Sequence, residues 1–432
     1  MGSSTLTSRI GRSVTVGEVA LGLAVGSVAA AAAVTGGARA LALPLALALV
    51  AFALREPVAL LALFLVIGLF KDEALVRALP VDATLAAGAL LALVCGVRLV
   101  TGRIRAVPLG LSLAISVVCL SLVASLAWTS APTYGEEKVT TFLTLTLLAI
   151  GAPFFIFEQW DDVRRFFAWT VVIATPVAIL AISNPAQDTG RLAGDNTIGT
   201  SRLLCMAALI VLLGALGSAR WRAPRVVLAV GFVAIAAAVG SRGPILSFAL
   251  ALAVTLAAWL LRAPRKVAPV LVVAALSVAV VPFVSLPATS SERLAEAARD
   301  PIAAFRENDR HFLAQQAIDL IERAPLRGAG VGAFSTVNPT VEWPHNLFLE
   351  LWAELGLAAV LVVAAAITAV LAGLFRTAWR LPERMPEHEL AYALLAVFVF
   401  NLLAVQVSGN INDNRVFWGT LALASLVAAG GL

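Results

Sequence analysis

Apolar residues in this chain gather into long, nearly unbroken runs, without the one-sided spacing of a surface helix or the alternation of a half-buried strand. They fall at roughly 17–35, 38–54, 57–70, 82–99, 107–128, 139–157, 166–183, 201–219, 226–240, 244–261, 267–286, 346–374, 389–407 and 415–431. About 20 such residues cross the hydrocarbon of a bilayer. Backbone polar groups in lipid must be satisfied within their own segment, which selects helices. The pattern therefore predicts an all-α polytopic membrane protein with 12, and up to 14, transmembrane helices. The pair split by Arg55-Glu56-Pro57 reads either as two short spans or as one re-entrant or tilted hairpin. Three regions follow: an N-terminal transmembrane bundle (1–286), a helical loop outside the membrane (287–345) and closing transmembrane helices (346–432).

The basic residues orient these segments. With the amino end in the cytoplasm, strict alternation puts Arg98/Arg103/Arg105, Arg164/Arg165, Arg220/Arg222/Arg225, Arg262/Arg265/Lys266 and Arg376/Arg380/Arg384 all on the cytoplasmic side, as the positive-inside rule requires. Arg9 and Arg12 ahead of an apolar run, with no convincing cleavage site, read as a start-anchor. The opposite side receives the loop around Gly190-Arg191-Leu192-Ala193-Gly194-Asp195, the turn Gly240-Ser241-Arg242-Gly243, the stretch from about 287 to 343, and Ser408 to Arg415.

The 287–343 stretch is too short for a domain with its own core. Ser290-Ser291-Glu292 offers a helix start, and Leu313, Ala317, Leu320 and Ile321 predict a helix from about Asp309 to Arg323, stopped before Pro325. Such helices would lie as a lid on the membrane bundle. Gly328, Gly330 and Gly332 follow no strand, so they read as a flexible turn and not as a phosphate-binding loop. Beyond it, Pro344 suits a first helical turn, which would place His345 and Asn346 at a helix mouth where free N–H groups favour an anion. Asn346, Glu350 and Glu354 recur every four residues and share one face, turned to a protein interior or a water-filled cavity.

Composition sharpens this picture. The 432 residues are 60% hydrophobic and 13% charged, and mean hydropathy is +0.95, outside the range of soluble domains. A net charge of +5 would suggest nucleic acid for a soluble protein; here it reflects arginines on one membrane side, and no nucleic-acid partner is expected. Cys95, Cys119 and Cys205 lie in or beside apolar runs without metal-ligand spacing and read as packing residues.

The chemistry-bearing positions occur in a fixed order. Arg191-Leu192-Ala193-Gly194 and Ser241-Arg242-Gly243 precede Arg310, the turn Pro325-Leu326-Arg327-Gly328-Ala329-Gly330, and Pro344-His345-Asn346-Leu347-Phe348-Leu349-Glu350 through Gly356. This order, over about residues 190–415, resembles the O-antigen ligase and polymerase superfamily of bacterial envelope glycosyltransferases. The resemblance implies a membrane-embedded glycosyltransferase C-type fold. It also implies an undecaprenyl-diphosphate-linked glycan as donor, lipid A-core as acceptor for a ligase, inversion at the anomeric carbon, and chemistry in the inner membrane's periplasmic leaflet without metal or cofactor. Repeat-unit polymerases and protein O-oligosaccharyltransferases share the superfamily.

Transfer from a lipid diphosphate needs charge stabilisation on the leaving group and removal of a proton from the acceptor hydroxyl. Arginine meets the first need because its planar fork holds phosphate bidentately and keeps its charge. Arg191 and Arg242 are the leading candidates, with Arg310 and Arg415 in reserve; a snorkelling arginine at the headgroups is the alternative for each. His345 suits the second need, as general base or as a donor orienting the acceptor or diphosphate. His311 beside Arg310, together with Asn346 and Glu350, completes the expected substrate-binding set, while His388 falls on the cytoplasmic side and is left out. Glu350 and Glu354 equally suit a helix N-terminus without any catalytic role. Trp343 and Trp352 read as sugar-stacking or interfacial-belt residues. A secondary transporter, the competing class, would carry ionisable groups near mid-bilayer, whereas here they crowd one face.

Overall fold

The computed structural model describes residues 49–70, 82–183, 197–217, 221–239, 241–261 and 309–432. Arg191, the 267–286 run, the helix start at Ser290 and most of the first two runs lie outside these residues. The chain falls into two units, 1–57 and 58–432. Within the first, α1 (Leu49–Arg55) closes with the Glu56 N–H bonded to Phe52 O at 2.7 Å. Pro57 opens α2 (Pro57–Val66), whose remaining residues belong to the second unit, and its missing N–H costs nothing there.

Among its described residues the second unit consists of helices joined by turns and irregular segments, with no strand. It contains α3 (Ala83–Val100), α4 (Leu109–Ser125), α5 (Pro132–Thr141), α6 (Leu147–Ile156), α7 (Trp160–Ser183), α8 (Thr197–Gly217), α9 (Arg222–Ala238) and α10 (Arg242–Leu260). It continues with α11 (Asp309–Arg323), α12 (Phe334–Val337), α13 (Leu347–Leu355), α14 (Leu357–Arg380), α15 (Pro386–Ala404) and α16 (Arg415–Ala428). A π-helical turn, Phe142–Thr146, joins α5 and α6 into one rod. Among the described residues seven helices are long and apolar enough to cross a membrane, or up to eight if α1 and α2 count as one broken span. The chain is thus an all-α polytopic membrane protein.

The helices share a polarity. Arg98 in the last turn of α3 pairs with Glu158 beyond the end of α6, and Arg105 donates to the Glu158 carbonyl at 2.6 Å. Arg222 and Arg225 at the start of α9, and Arg376 and Arg380 at the end of α14, occupy this same arginine-bearing end. The opposite helix ends hold Asp82, Tyr134, Lys138, Arg202, His345 and the 408–415 loop around one hollow. Separation of basic loops from the other polar groups therefore follows the sequence expectation. Near the arginine end, Trp259 of α10 stacks on Tyr392 of α15 at 4.8 Å, and His388 is fully buried against Trp259.

The expected helix Asp309–Arg323 is present as α11. Its Leu313, Ala317, Leu320 and Ile321 pack with Phe334 and with Ala353 of α13, so the lid is bolted down by its apolar stripe. Two expectations need correction. The run from 346 to 374 is not one helix: Gly356, at φ 86°, ends α13 and begins α14. The glycine turn is no flexible link either. Ala329 N–H bonds to Ala353 O at 2.8 Å and Gly330 N–H to Glu354 O at 3.0 Å, satisfying carbonyls that the α13 end leaves open, while Leu357 N–H at the start of α14 finds Pro325 O at 3.1 Å. Trp128 and Thr129 anchor its far side through Gly328 O and Val331 O. The helix break and the turn interlock, and the close backbone approach requires glycine: a Cβ on Gly356 would stand 2.2 Å from Leu326 O, and one on Gly328 2.3 Å from Glu354 O.

Gly356→Ala is expected to destabilise the protein by more than about 1 kcal/mol. Gly96→Ala, inside α3 with nothing within 4 Å of the added carbon, is expected to be neutral or stabilising. Thermal unfolding of the two variants in detergent measures the difference.

Candidate active site

A cavity of about 780 Å³ opens among the ends of α3, α5, α8, α15 and α16 and the segment before α13. Its wall carries His345 and Trp343, the cations Lys138, Arg202 and Arg415, and the carboxylates Asp82, Glu137 and Asp413. The size suits a ligand with several polar anchor points.

His345 is presented by a strained turn. It has φ 54°, the single non-glycine residue with positive φ among those described, in a region that histidine enters more readily than most side chains and that recurs at functional sites. Pro344 therefore precedes the helix rather than starting it. Asn346 is the N-cap of α13, accepting the Leu349 N–H at 3.0 Å while its Nδ2 donates to Gln406 O at 3.1 Å. Asn346, expected to touch substrate, spends its side chain on holding the turn. Trp343 donates Nε1–H to His345 Nδ1 at 3.0 Å, with the rings edge to face. Burial, then Arg310 and Arg202 nearby, lower the His345 pKa to about 4, so the imidazole is neutral at physiological pH.

The arginines divide by role. Arg415, half-buried at the start of α16, reaches over the Phe64 ring, and its Nη1 is buried without a hydrogen-bond partner among the described residues. Such an unused donor on a cavity wall suits an anion. Arg202 is committed to the protein: it donates to Asn414 Oδ1 at 2.9 Å, to Ser408 O at 2.9 Å and to Ala404 O, bracing the loop that carries Arg415. Arg242 is half-buried in the first turn of α10, off the described cavity wall; a Cβ on neighbouring Gly243 would lie 3.9 Å from Arg310 Nη1. Arg310 thus links the Arg242 turn to His345, close enough to act on the imidazole electrostatically. His311 is exposed on α11.

Residues 227–364, from α9 into α14, match the family model described as O-antigen ligase. This part of the chain is similar to the O-antigen ligase family. A search of the curated proteins finds no match. The matched region contains Arg242, Arg310, His345, Asn346 and Glu350, whereas Lys138, Arg202 and Arg415 come from helices before and after it. The cavity is therefore completed by segments outside the matched region.

Sequence reasoning missed Lys138. It is 3% exposed and lies between Glu350 Oε1 at 2.6 Å and Glu354 Oε2 at 2.7 Å, both 2% exposed. Glu350, expected to bind substrate, is turned into this cluster. A lysine at the edge of an apolar run, four residues before a π turn, was the available signal: buried charge in a membrane helix requires a partner. Asn412 extends the cluster, donating to Lys138 O at 2.9 Å and accepting from Thr146 Oγ1 at 3.0 Å.

Lys138→Met leaves two buried carboxylates uncompensated and is expected to cost about 3–5 kcal/mol. Adding Glu350→Leu and Glu354→Leu is expected to bring stability back to within about 2 kcal/mol of wild type, as read by thermal unfolding in detergent. The depressed His345 pKa has a definite sign as well. Below about 6.5 the unfolded chain takes up the proton first, while the folded protein resists it down to about 4, so stability falls with pH across that interval. The pH dependence of unfolding in His345→Gln, compared with wild type, is expected to lack that part of the loss.

Proposed function

We propose that the protein is an O-antigen ligase of the bacterial inner membrane. It transfers a glycan from undecaprenyl diphosphate to lipid A-core at the periplasmic face, without a metal and with inversion. The observation that carries this reading is the meeting of His345, the under-bonded Arg415 and the positive field of Arg310 at one helix end, opposite the arginine-rich loops. Charge and open donors there suit a lipid-borne diphosphate arriving from the leaflet. In the reaction the anomeric C–O bond to phosphate breaks, its electron pair leaves with the diphosphate, the acceptor oxygen bonds to the anomeric carbon and its proton is released. Arg191 and Arg242, assisted by Arg310 and Arg415, hold the diphosphate. His345 activates or orients the acceptor or the leaving group, and Asn346 and Glu350 act by fixing the α13 mouth. His311, exposed on the lid helix α11, contacts the glycan.

Deletion of the gene followed by gel analysis of lipopolysaccharide tests the assignment. A rough core with long polymer accumulating on undecaprenyl diphosphate is expected. A core capped with one repeat would indicate a repeat-unit polymerase of the same superfamily, and unchanged lipopolysaccharide would exclude both. In the same assay, complementation with Arg415→Gln is expected to restore about 1% or less of wild-type transfer, since a charge-stabilising donor is typically worth roughly 100-fold or more.

A further inference from the structure

Neutral imidazole carries one hydrogen on two nitrogens, so a ring nitrogen that accepts a hydrogen bond has left the hydrogen on the other. His345 Nδ1 accepts from the Trp343 indole at 3.0 Å. Indole N–H is a donor only, so this bond cannot run the other way. The hydrogen of His345 is therefore on Nε2. Protonating Nδ1 would set two N–H groups against each other, in addition to opposing the charges of Arg310 and Arg202. With Nδ1 occupied and Nε2 protonated, the ring has no free lone pair for an incoming proton, yet it retains one N–H to offer. Both residues line the cavity, and the positive φ at His345 fixes where the ring leaves the backbone.

We infer that His345 acts as a hydrogen-bond donor through Nε2–H to an oxygen of the bound substrate, held in that tautomer by Trp343, and that it is not the base for the acceptor hydroxyl. The inference rests on the transferase reading given above. The oxygen that gains most from such a donor is the one on the leaving phosphate, where charge accumulates as the C–O bond breaks. The acceptor's proton then goes to a carboxylate on the cavity wall, where Asp82, Glu137 and Asp413 stand. Trp343 is a positioning residue: it acts on the substrate through the imidazole whose tautomer it sets.

The full chain in detergent, assayed with lipid-diphosphate-linked glycan and lipid A-core, separates donor from base. Glutamine places an amide N–H near the imidazole Nε2 position and has no basicity, so His345→Gln is expected to keep kcat within ~10-fold of wild type while His345→Ala loses ~100-fold or more. Equal inactivity of the two variants overturns the donor role. Trp343→Phe is expected to lower kcat in the His345 protein with little change in KM, and to add nothing on the His345→Gln background, because an amide has no tautomer to set. Equal losses on both backgrounds would show that Trp343 acts independently of His345. Nitrogen NMR of histidine-labelled protein reads the tautomer without any turnover, with His345 assigned by comparison with His345→Gln. A bare Nδ1 and protonated Nε2 at neutral pH are expected, and hydrogen on Nδ1 overturns the inference. Absence of transfer by the wild-type protein would instead sink the transferase reading while the NMR result still decides the tautomer.

Discussion

A lysine enclosed by two carboxylates ties the first half of the chain to the second. Lys138 of α5 meets Glu350 and Glu354 of α13 where almost no water reaches, and in such surroundings a lone charge is too costly to keep. The three groups are mutually obligatory, which fixes the rotation of α13 and the height of α5. From that constraint follow the position of Asn412, bonded to the Lys138 carbonyl, and the seating of the 408–415 loop that delivers Arg415. Two carboxylates against one ammonium also leave the cluster with one unbalanced charge if all three ionise, a bias facing the cations on the cavity wall.

Around this anchor the fold solves a backbone problem. A short helix ending inside a membrane protein leaves carbonyls without partners, and α13 ends after only nine residues. The glycine turn supplies the missing N–H groups while its other face is held by Trp128 and Thr129 of the α4–α5 connection. The lid helix α11 is tied to the same place by its apolar stripe. Lid, turn and His345 are consequently parts of one rigid assembly. That rigidity is what allows a histidine with positive φ to persist, since strain survives only where the surroundings over-determine it.

The site itself is assembled from distant parts of the chain. His345 and Trp343 come from the region that matches the family model, whereas Lys138, Arg202 and Arg415 come from outside it. The matched region thus supplies the imidazole and its tautomer partner, and the flanking helices supply most of the charge on the wall.

Hydropathy runs alone pointed to the all-α membrane class, and arginine spacing separated the basic helix ends from those holding the other polar groups, because both express the cost of placing charge and open backbone in lipid. Helical periodicity placed α11 at Asp309–Arg323, and the order of polar motifs pointed to His345 and to the arginines near it. What the sequence could not carry was long-range pairing. The lysine at 138 stands beside Glu136 and Glu137 in sequence, yet its partner in the fold is Glu350 of α13, 212 residues later. Glu350 and Asn346 looked available to substrate until folding turned one toward Lys138 and the other into a helix cap. The Trp343 bond that decides the His345 tautomer spans only two residues, yet it needs the turn at Pro344 and the seat of α13 to form. Local pattern records what each segment must avoid in lipid; only the packed bundle decides which polar groups satisfy one another and which remain for a ligand.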